Sequence, residues 1–356
     1  MSRYLSQLVR AITPYVPGEQ PKDRKYIKLN TNENPYPPSP RAIQAIIAAA
    51  NDTLRLYPDP SCDELCGTIA RLFGLKRENV FAGNGSDELL AFCFPAFFEP
   101  AGRPILFADV TYSFYPVYAE FFRIPYKLIE ADAQLRVPID GYFQENGGII
   151  IANPNAPTGR GLSVDDVEKI LQKNENSVVI MDEAYIDFGG VSAVSLIAGY
   201  PNLLIIRTLS KSHSLAGLRA GFAMGAAGLI EGLTRVKDSV NSYTVDRLAQ
   251  AGAREAMEDE AYFLETRAKI INTRGRVSAR LEKMGFTVIE SLANFVFITN
   301  PVYPARELFS RLRQGGILVR YFDKPKIDNY LRVTIGTDDE MERFLAALEE
   351  ICQERV

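Results

Sequence analysis

The sequence predicts an α/β protein: a large unit built on a mostly parallel sheet sandwiched by helices, followed by a smaller α+β unit. Three observations predict it. Between residues 61 and 200, helical segments alternate with short, continuously apolar runs. Continuous apolarity, rather than alternation, marks strands covered on both faces, as in a parallel sheet between two helical layers. After residue 245 the pattern changes to one long helical region, then strand, helix, strand. Finally, 356 residues with 47% hydrophobic and 24% charged composition suffice for about two domains with large cores.

The elements follow in order. Residues 30–40 hold four prolines, which disfavour helix and suit an extended arm. Ser39 is placed to cap the next helix, with Pro40 at its first position and residues 41–51 helical. Strands are expected at 80–82, 104–107, 148–152, 178–181 and 203–206, with one more at 221–224. Residues 245–284 read as helix, 295–298 and 331–335 as strands of the small unit, and Thr337-Asp338-Asp339-Glu340 as the capping box of the last helix. The expected division is an arm (1–40) joining the small domain, a large domain (41–245) and a small domain (246–356).

Composition excludes several functions. The net charge is −4 and the basic residues are dispersed, so no nucleic-acid surface is expected. The first ten residues lack the apolar core of a signal peptide, and the most apolar stretch, 89–98, is too short to span a bilayer and contains Pro95. A cytoplasmic location is expected. Cys62, Cys66, Cys93 and Cys352 make no disulfide framework in a chain this long; Cys62 and Cys66 read as two half-buried residues one helical turn apart rather than a metal site. The single histidine, His213, rules out His-rich metal centres and reads as packing beside Lys211. No metal is expected.

The polar residues gather where ligands collect in a parallel sheet, at the carboxyl ends of the strands. Gly83-Asn84-Gly85-Ser86-Asp87-Glu88 follows a strand and opens a helix. Free N–H groups there attract a phosphate, although in isolation a plain turn capped by Ser86 is the favoured reading of the stretch. Asp182 ends a buried strand and needs a cation or a protonated ring; a structural ion pair is the bland alternative. Tyr185 lies three residues on. Lys211 follows another buried strand, among small hydroxyl residues, where desolvation frees a lysine to attack a carbonyl; alone, it would read as a surface charge. Arg219 has the planar fork that suits a phosphate. Together these residues fit the tasks a protein performs around pyridoxal 5′-phosphate (PLP): an imine-forming lysine, a carboxylate at the pyridine nitrogen, a donor at the ring oxygen and a phosphate cradle.

Asn153-Pro154-Asn155-Ala156-Pro157-Thr158-Gly159, Asp182-Glu183-Ala184-Tyr185, Ser210-Lys211 and Arg219 resemble, in order and spacing, the class II PLP-dependent aminotransferases. More narrowly, Leu29 to Pro35, Tyr57-Pro58-Asp59, Gly83 to Glu88 and Thr208 to Lys211 resemble the histidinol-phosphate aminotransferases. The resemblance runs from Tyr15 to the last helix. It implies the aspartate-aminotransferase-like fold (PLP fold type I) and a homodimer that exchanges an amino group between L-histidinol phosphate and 2-oxoglutarate. Lys211 is then the cofactor's imine partner, Asp182 the partner of its pyridine nitrogen and Tyr185 of its ring oxygen, with Tyr112 stacked on the ring. Ser86, Asp87, Ser210 and Arg219 hold the phosphate, reached also by Tyr57 from the other subunit. Arg332, Arg320 and Tyr15 form the substrate pocket; of these Arg332 interrupts a buried strand and so requires an anion.

Three positions depart from the family pattern. Ala156 stands where an asparagine usually donates to the ring oxygen, which leaves Asn155, Asn153 or Tyr185 alone for that task. Pro37 replaces a glycine of the arm, and His213 an apolar residue. The rival readings on the same scaffold are an aromatic amino-acid aminotransferase and a PLP-dependent decarboxylase of an amino-acid phosphate. A PLP-sensing regulator would need a DNA-binding segment, for which the chain shows no basic stretch.

Overall fold

Seven strands of the first two thirds of the chain pair into one sheet. They are β1 (Val80–Gly83), β2 (Ile105–Ala108), β3 (Tyr126–Ile129), β4 (Ile149–Ala152), β5 (Val179–Asp182), β6 (Leu203–Thr208) and β7 (Gly221–Gly225), in the order β1-β7-β6-β5-β4-β2-β3. All neighbours run parallel except β7, which is antiparallel to both β1 and β6. The computed structural model describes residues 2–354.

Successive residues of the central strands enter different cores. Ile149, Ile151, Val179, Met181, Leu203 and Ile205 pack on one face; Ile150, Ile180, Leu204 and Ile206 pack on the other. Both faces are dry, hence the unbroken apolar runs. β3 escaped the sequence reading because it is an edge strand with only Ile129 buried. A mixed sheet between helices, followed by a smaller α+β unit, is the layout that the sequence resemblance implies.

The helical region at 245–284 is two helices, Arg247–Glu258 and Glu260–Lys283. Asp259 breaks them (φ −90°, ψ 63°) while its carboxylate accepts the Ser39 hydroxyl. The first helix packs against Pro40–Ala49 and Asp63–Leu72 of the large unit; a Cβ on Gly252 would meet Ile46 at 2.8 Å. The second gives Ile270, Val277 and Leu281 to the small-unit core. We propose that the boundary between the units lies at Asp259, past residue 245.

The small unit holds β8 (Thr287–Ile289), β9 (Phe295–Thr299), β10 (Arg320–Tyr321) and β11 (Tyr330–Thr334), paired antiparallel in the order β10-β11-β9-β8. The arm joins this unit. Ile27–Lys28 pairs in parallel with Ile317–Leu318, Thr334 N–H donates to the Leu29 carbonyl at 2.9 Å, and Ile27 and Leu29 enter the core. Ser39 caps helix Pro40–Ala49, and Thr337 with Glu340 forms the capping box of Asp338–Gln353.

Cys62 and Cys66 are fully buried rather than half-buried. Cys62 precedes its helix in the left-handed region (φ 52°), and burial pushes the two thiols up to about 12 and about 11. They are inert packing residues. Among the described residues no group of metal-ligating side chains gathers, and no helix is long and apolar enough to cross a membrane.

Candidate active site

The carboxyl ends of β4, β5 and β6 open into a cavity of about 430 Å³. The start of helix Gly85–Phe97 and Arg219 form one wall, while β10, β11 and the arm roof it. It brings together Tyr15, Ser86, Asp87, Tyr112, Asp182, Tyr185, Ser210, Lys211, Arg219, Arg320 and Arg332.

Lys211 is half-buried just past β6, its Nζ donating to the Thr31 carbonyl of the arm at 3.2 Å. Asn34, also on the arm, donates to the Lys211 carbonyl at 2.9 Å. The arm thus fixes both ends of the lysine. Behind it, Ser212 donates to Asp187 (2.6 Å), which is ion-paired with Arg207, and His213 stacks on Phe263 at 4.7 Å. Burial pushes His213 down to about 4, so it is neutral and serves packing.

Asp182 is 4% exposed at the end of β5, and among the described residues no cation pairs with it. Its carboxylate accepts the Tyr115 hydroxyl at 2.8 Å and the Ala184 N–H at 3.2 Å. Burial pushes it up from 3.8 to about 6 against these two bonds. Such a group fits the protonated nitrogen of a pyridine ring. Tyr115 was not foreseen as a site residue.

At the far wall the helix begins at Gly85, not after Ser86. Asn84 occupies the cap position, and its N–H donates to Glu88 at 2.6 Å. Ser86 and Asp87 therefore present first-turn N–H groups instead of a capping side chain. Gly85 cannot be replaced freely, since its φ of 74° strains any side chain, and a Cβ would also push on the Arg219 guanidinium (2.6 Å to Nη2). The Arg219 guanidinium lies 3.3 Å from the Ser210 hydroxyl and 3.4 Å from the Asp87 carboxylate. A helix start, a hydroxyl and a fork converging on one place fit a phosphate dianion.

Tyr112 donates to Asp87 at 2.9 Å, so its ring is held across the cavity. Tyr185 lies near Lys211, its ring centroid 5.9 Å from Nζ, and its hydroxyl accepts the Asn32 amide at 2.9 Å. Tyr15 stacks on Phe114 at 4.2 Å. On the roof, Arg320 stands directly opposite Arg332 in the antiparallel pair of β10 and β11. Neither takes part in an ion pair among the described residues. Arg332 donates to the Asn30 carbonyl at 3.0 Å, while its Nε is buried with no partner.

The family model "Aminotransferase class I and II" matches residues 24–348. A histidinol-phosphate aminotransferase of Clostridium acetobutylicum is 57% identical over 350 residues, covering 98% of this chain and 99% of that one. The chain belongs to the histidinol-phosphate aminotransferase family of class I and II aminotransferases. Histidinol-phosphate aminotransferase 1 of Bordetella parapertussis is 54% identical over 99% of both chains. Among solved structures, a Sinorhizobium meliloti histidinol-phosphate aminotransferase in complex with pyridoxal-5′-phosphate superposes with a TM-score of 0.89 at 25% identity, covering 100% of this chain and 99% of that one.

Two residues expected in this aminotransferase's site stand outside the cavity. The Asn155 amide donates to the Val110 carbonyl (2.8 Å) and Thr158 (3.0 Å), its oxygen accepts from Thr111 (2.8 Å), and it lines a neighbouring cavity. Asn153 is tied to Leu162, and Ala156 lines the active-site wall, so Tyr185 is the donor available for a ring oxygen. Tyr57 is 78% exposed, stacked on Tyr243 at 4.5 Å, and away from its own chain's cavity. Besides Tyr115, the sequence reading missed Asn32 and Phe114. Asn32 sits inside the arm motif, and a left-handed φ of 57° turns its amide towards Tyr185.

The raised Asp182 carboxyl has a measurable consequence for the cofactor-free protein. A carboxyl raised on folding contributes most below its unfolded value, and that contribution is lost as pH rises through about 6. The full loss is about 3 kcal/mol, roughly half of it between pH 5 and 7.5. The urea midpoint of wild type minus that of Asp182→Asn should fall across this interval. A constant difference would place the carboxyl at its ordinary value.

Proposed function

We propose that this aminotransferase transfers an amino group between L-histidinol phosphate and 2-oxoglutarate, a step of histidine biosynthesis, using PLP. The observation that carries the reading is the arginine pair. Two guanidiniums directly opposite on adjacent strands, one with a buried unpartnered Nε, repel each other until an anion lies between them. L-Histidinol phosphate brings a phosphate there and glutamate a carboxylate. One planar, forked site serves both partners in turn.

PLP, when bound, supplies an electron sink for the bond broken at the amino-bearing carbon and carries the amino group between half-reactions. The chain's residues do the rest. First-turn N–H groups at Ser86 and Asp87, the Ser210 hydroxyl and Arg219 hold the phosphate end. Asp182, buried and held by Tyr115, keeps a proton on the ring nitrogen, and Tyr112 covers the ring face. Tyr185, oriented by Asn32, donates to the ring oxygen. Lys211 Nζ takes the proton from the substrate carbon and returns it on the other side of the transfer. Tyr15 and Phe114 close the substrate end against water. The working unit is a cytoplasmic homodimer in which the partner's Tyr57 reaches the phosphate end.

Incubation of the PLP-loaded protein with L-histidinol phosphate and 2-oxoglutarate should yield glutamate without release of CO₂. Release of CO₂ would point to the decarboxylase reading, and glutamate formed from 2-oxoglutarate with phenylalanine but not with L-histidinol phosphate to the aromatic one. Arg332→Met should raise KM for both substrates about 100-fold or more, because a charge-assisted, buried contact is lost from each. An unchanged KM for L-histidinol phosphate would remove Arg332 from phosphate recognition.

A further inference from the structure

Beside the active site lies a second cavity of about 390 Å³ that nothing in the transfer reaction uses. Its floor is apolar: Val137, Ile139, Ile151 and Leu162, with the ring of Tyr142. Its rim carries both signs of charge, Arg136 and Arg160 against Asp166 and Glu290. Among the described residues, neither Arg136, Arg160 nor Glu290 is in an ion pair. Arg160 is held by its Nε, which donates to the Gln134 carbonyl at 2.9 Å, so the other guanidinium nitrogens remain available. An apolar pocket of this size with a few convergent polar groups is the usual form of a small-molecule site.

We propose that this cavity binds a free L-amino acid with an apolar side chain, and that its occupancy modulates the active site. The two guanidiniums suit the α-carboxylate, Glu290 suits the α-ammonium with Asp166, itself paired with Lys169 at 3.4 Å, beside it, and the floor suits an aliphatic or aromatic side chain. A purely apolar ligand would leave the charged rim unused, and a simple anion would meet two carboxylates.

The placement of the cavity supplies the coupling. Leu292 and Glu290 come from the small unit, the other walls from the large one. The two units meet here through the Leu292 N–H, which donates to the Gly159 carbonyl at 2.8 Å, and through Leu135, packed with Ile289, Phe297 and Ile327. Leu135 is held at φ 58°, a conformation that a leucine keeps only where its surroundings enforce it. A ligand against this wall therefore bears on how the units close. Thr111 and Asn155, joined at 2.8 Å, face this cavity, while their chain neighbours Tyr112, Pro154 and Ala156 face the active site. One thin partition separates the two ligands.

The test uses the PLP-loaded Arg332→Met protein, in which the buried arginine of the active site's anion-binding pair is gone, titrated calorimetrically with L-phenylalanine and L-leucine. Saturable binding is expected with at least one of them. It should weaken at least tenfold for 3-phenylpropionate or phenethylamine in place of phenylalanine, or for 4-methylpentanoate or isopentylamine in place of leucine. Arg136→Ala/Arg160→Ala, added to that protein, should weaken it similarly; Arg136 is exposed and Arg160 half-buried outside the hydrophobic cores, so the fold should survive. In the wild type, the same amino acid should shift KM for L-histidinol phosphate at least twofold, and the double substitution should abolish the shift. No saturable binding to the Arg332→Met protein, or binding indifferent to Arg136 and Arg160, would overturn the site. Binding without any shift in KM would overturn the coupling. Binding itself is read without turnover, so its failure is distinct from failure of the substrate assignment.

Discussion

Lys211→Ala is expected to lower kcat by at least about 10⁴, the upper range for losing a positioned general base, while cofactor binding survives in weakened form. The loss should be this large because, among the described residues, no other base reaches the same place. The neighbouring histidine, His213, is held neutral behind the loop, pushed down to about 4 and stacked on Phe263. Tyr185 is committed to Asn32. The cradle of Ser86, Asp87, Ser210 and Arg219 does not depend on the lysine, so the variant should still take up PLP but release it on dialysis. The visible band of the lysine-linked cofactor should be replaced by that of the free aldehyde. A variant that keeps both the band and more than a hundredth of the activity would show that another residue holds the cofactor.

The second large effect concerns Asp182 and Tyr115. Asp182→Asn removes the carboxylate expected at the ring-nitrogen position and should cost about 10³ in kcat, comparable to losing one well-placed electrostatic group in a dry site. Tyr115→Phe is subtler and more diagnostic. The Tyr115 hydroxyl, 2.8 Å from the carboxylate, is one of two bonds that hold Asp182 down against burial. Without it the carboxyl rises further, so its ionised form is lost at higher pH as the solution is acidified. The acidic limb of the kcat profile should therefore move upward relative to wild type. A purely structural tyrosine would lower the denaturation midpoint and leave that limb where it was.

Much of the site could be read in the sequence because its parts are chemically costly where they stand. A carboxylate ending a dry strand, a lysine just past another and an arginine inside a buried strand each demand a partner. Their order along the chain allows few alternatives. What escaped was set by contacts distant in sequence or by side-chain direction. Tyr115 looks like one more core aromatic until β5 delivers Asp182 to its hydroxyl. Asn155 occupies a suggestive position, yet Thr111, Val110 and Thr158 claim its amide and turn it into the neighbouring cavity. The break at Asp259 has no glycine or proline to announce it and is tied instead to Ser39, far away on the arm. The edge strand β3 lacks the apolar run that revealed its neighbours.

The measurement that bears most directly on the proposed function is the visible spectrum of the PLP-loaded protein during half-reactions. Adding L-histidinol phosphate alone should abolish the visible band of the lysine-linked cofactor and produce the shorter-wavelength band of its aminated form. Adding 2-oxoglutarate should then restore the original band. A visible band that persists in saturating L-histidinol phosphate would contradict the assignment of that substrate, and absence of the band from the loaded protein would contradict the role of Lys211 itself.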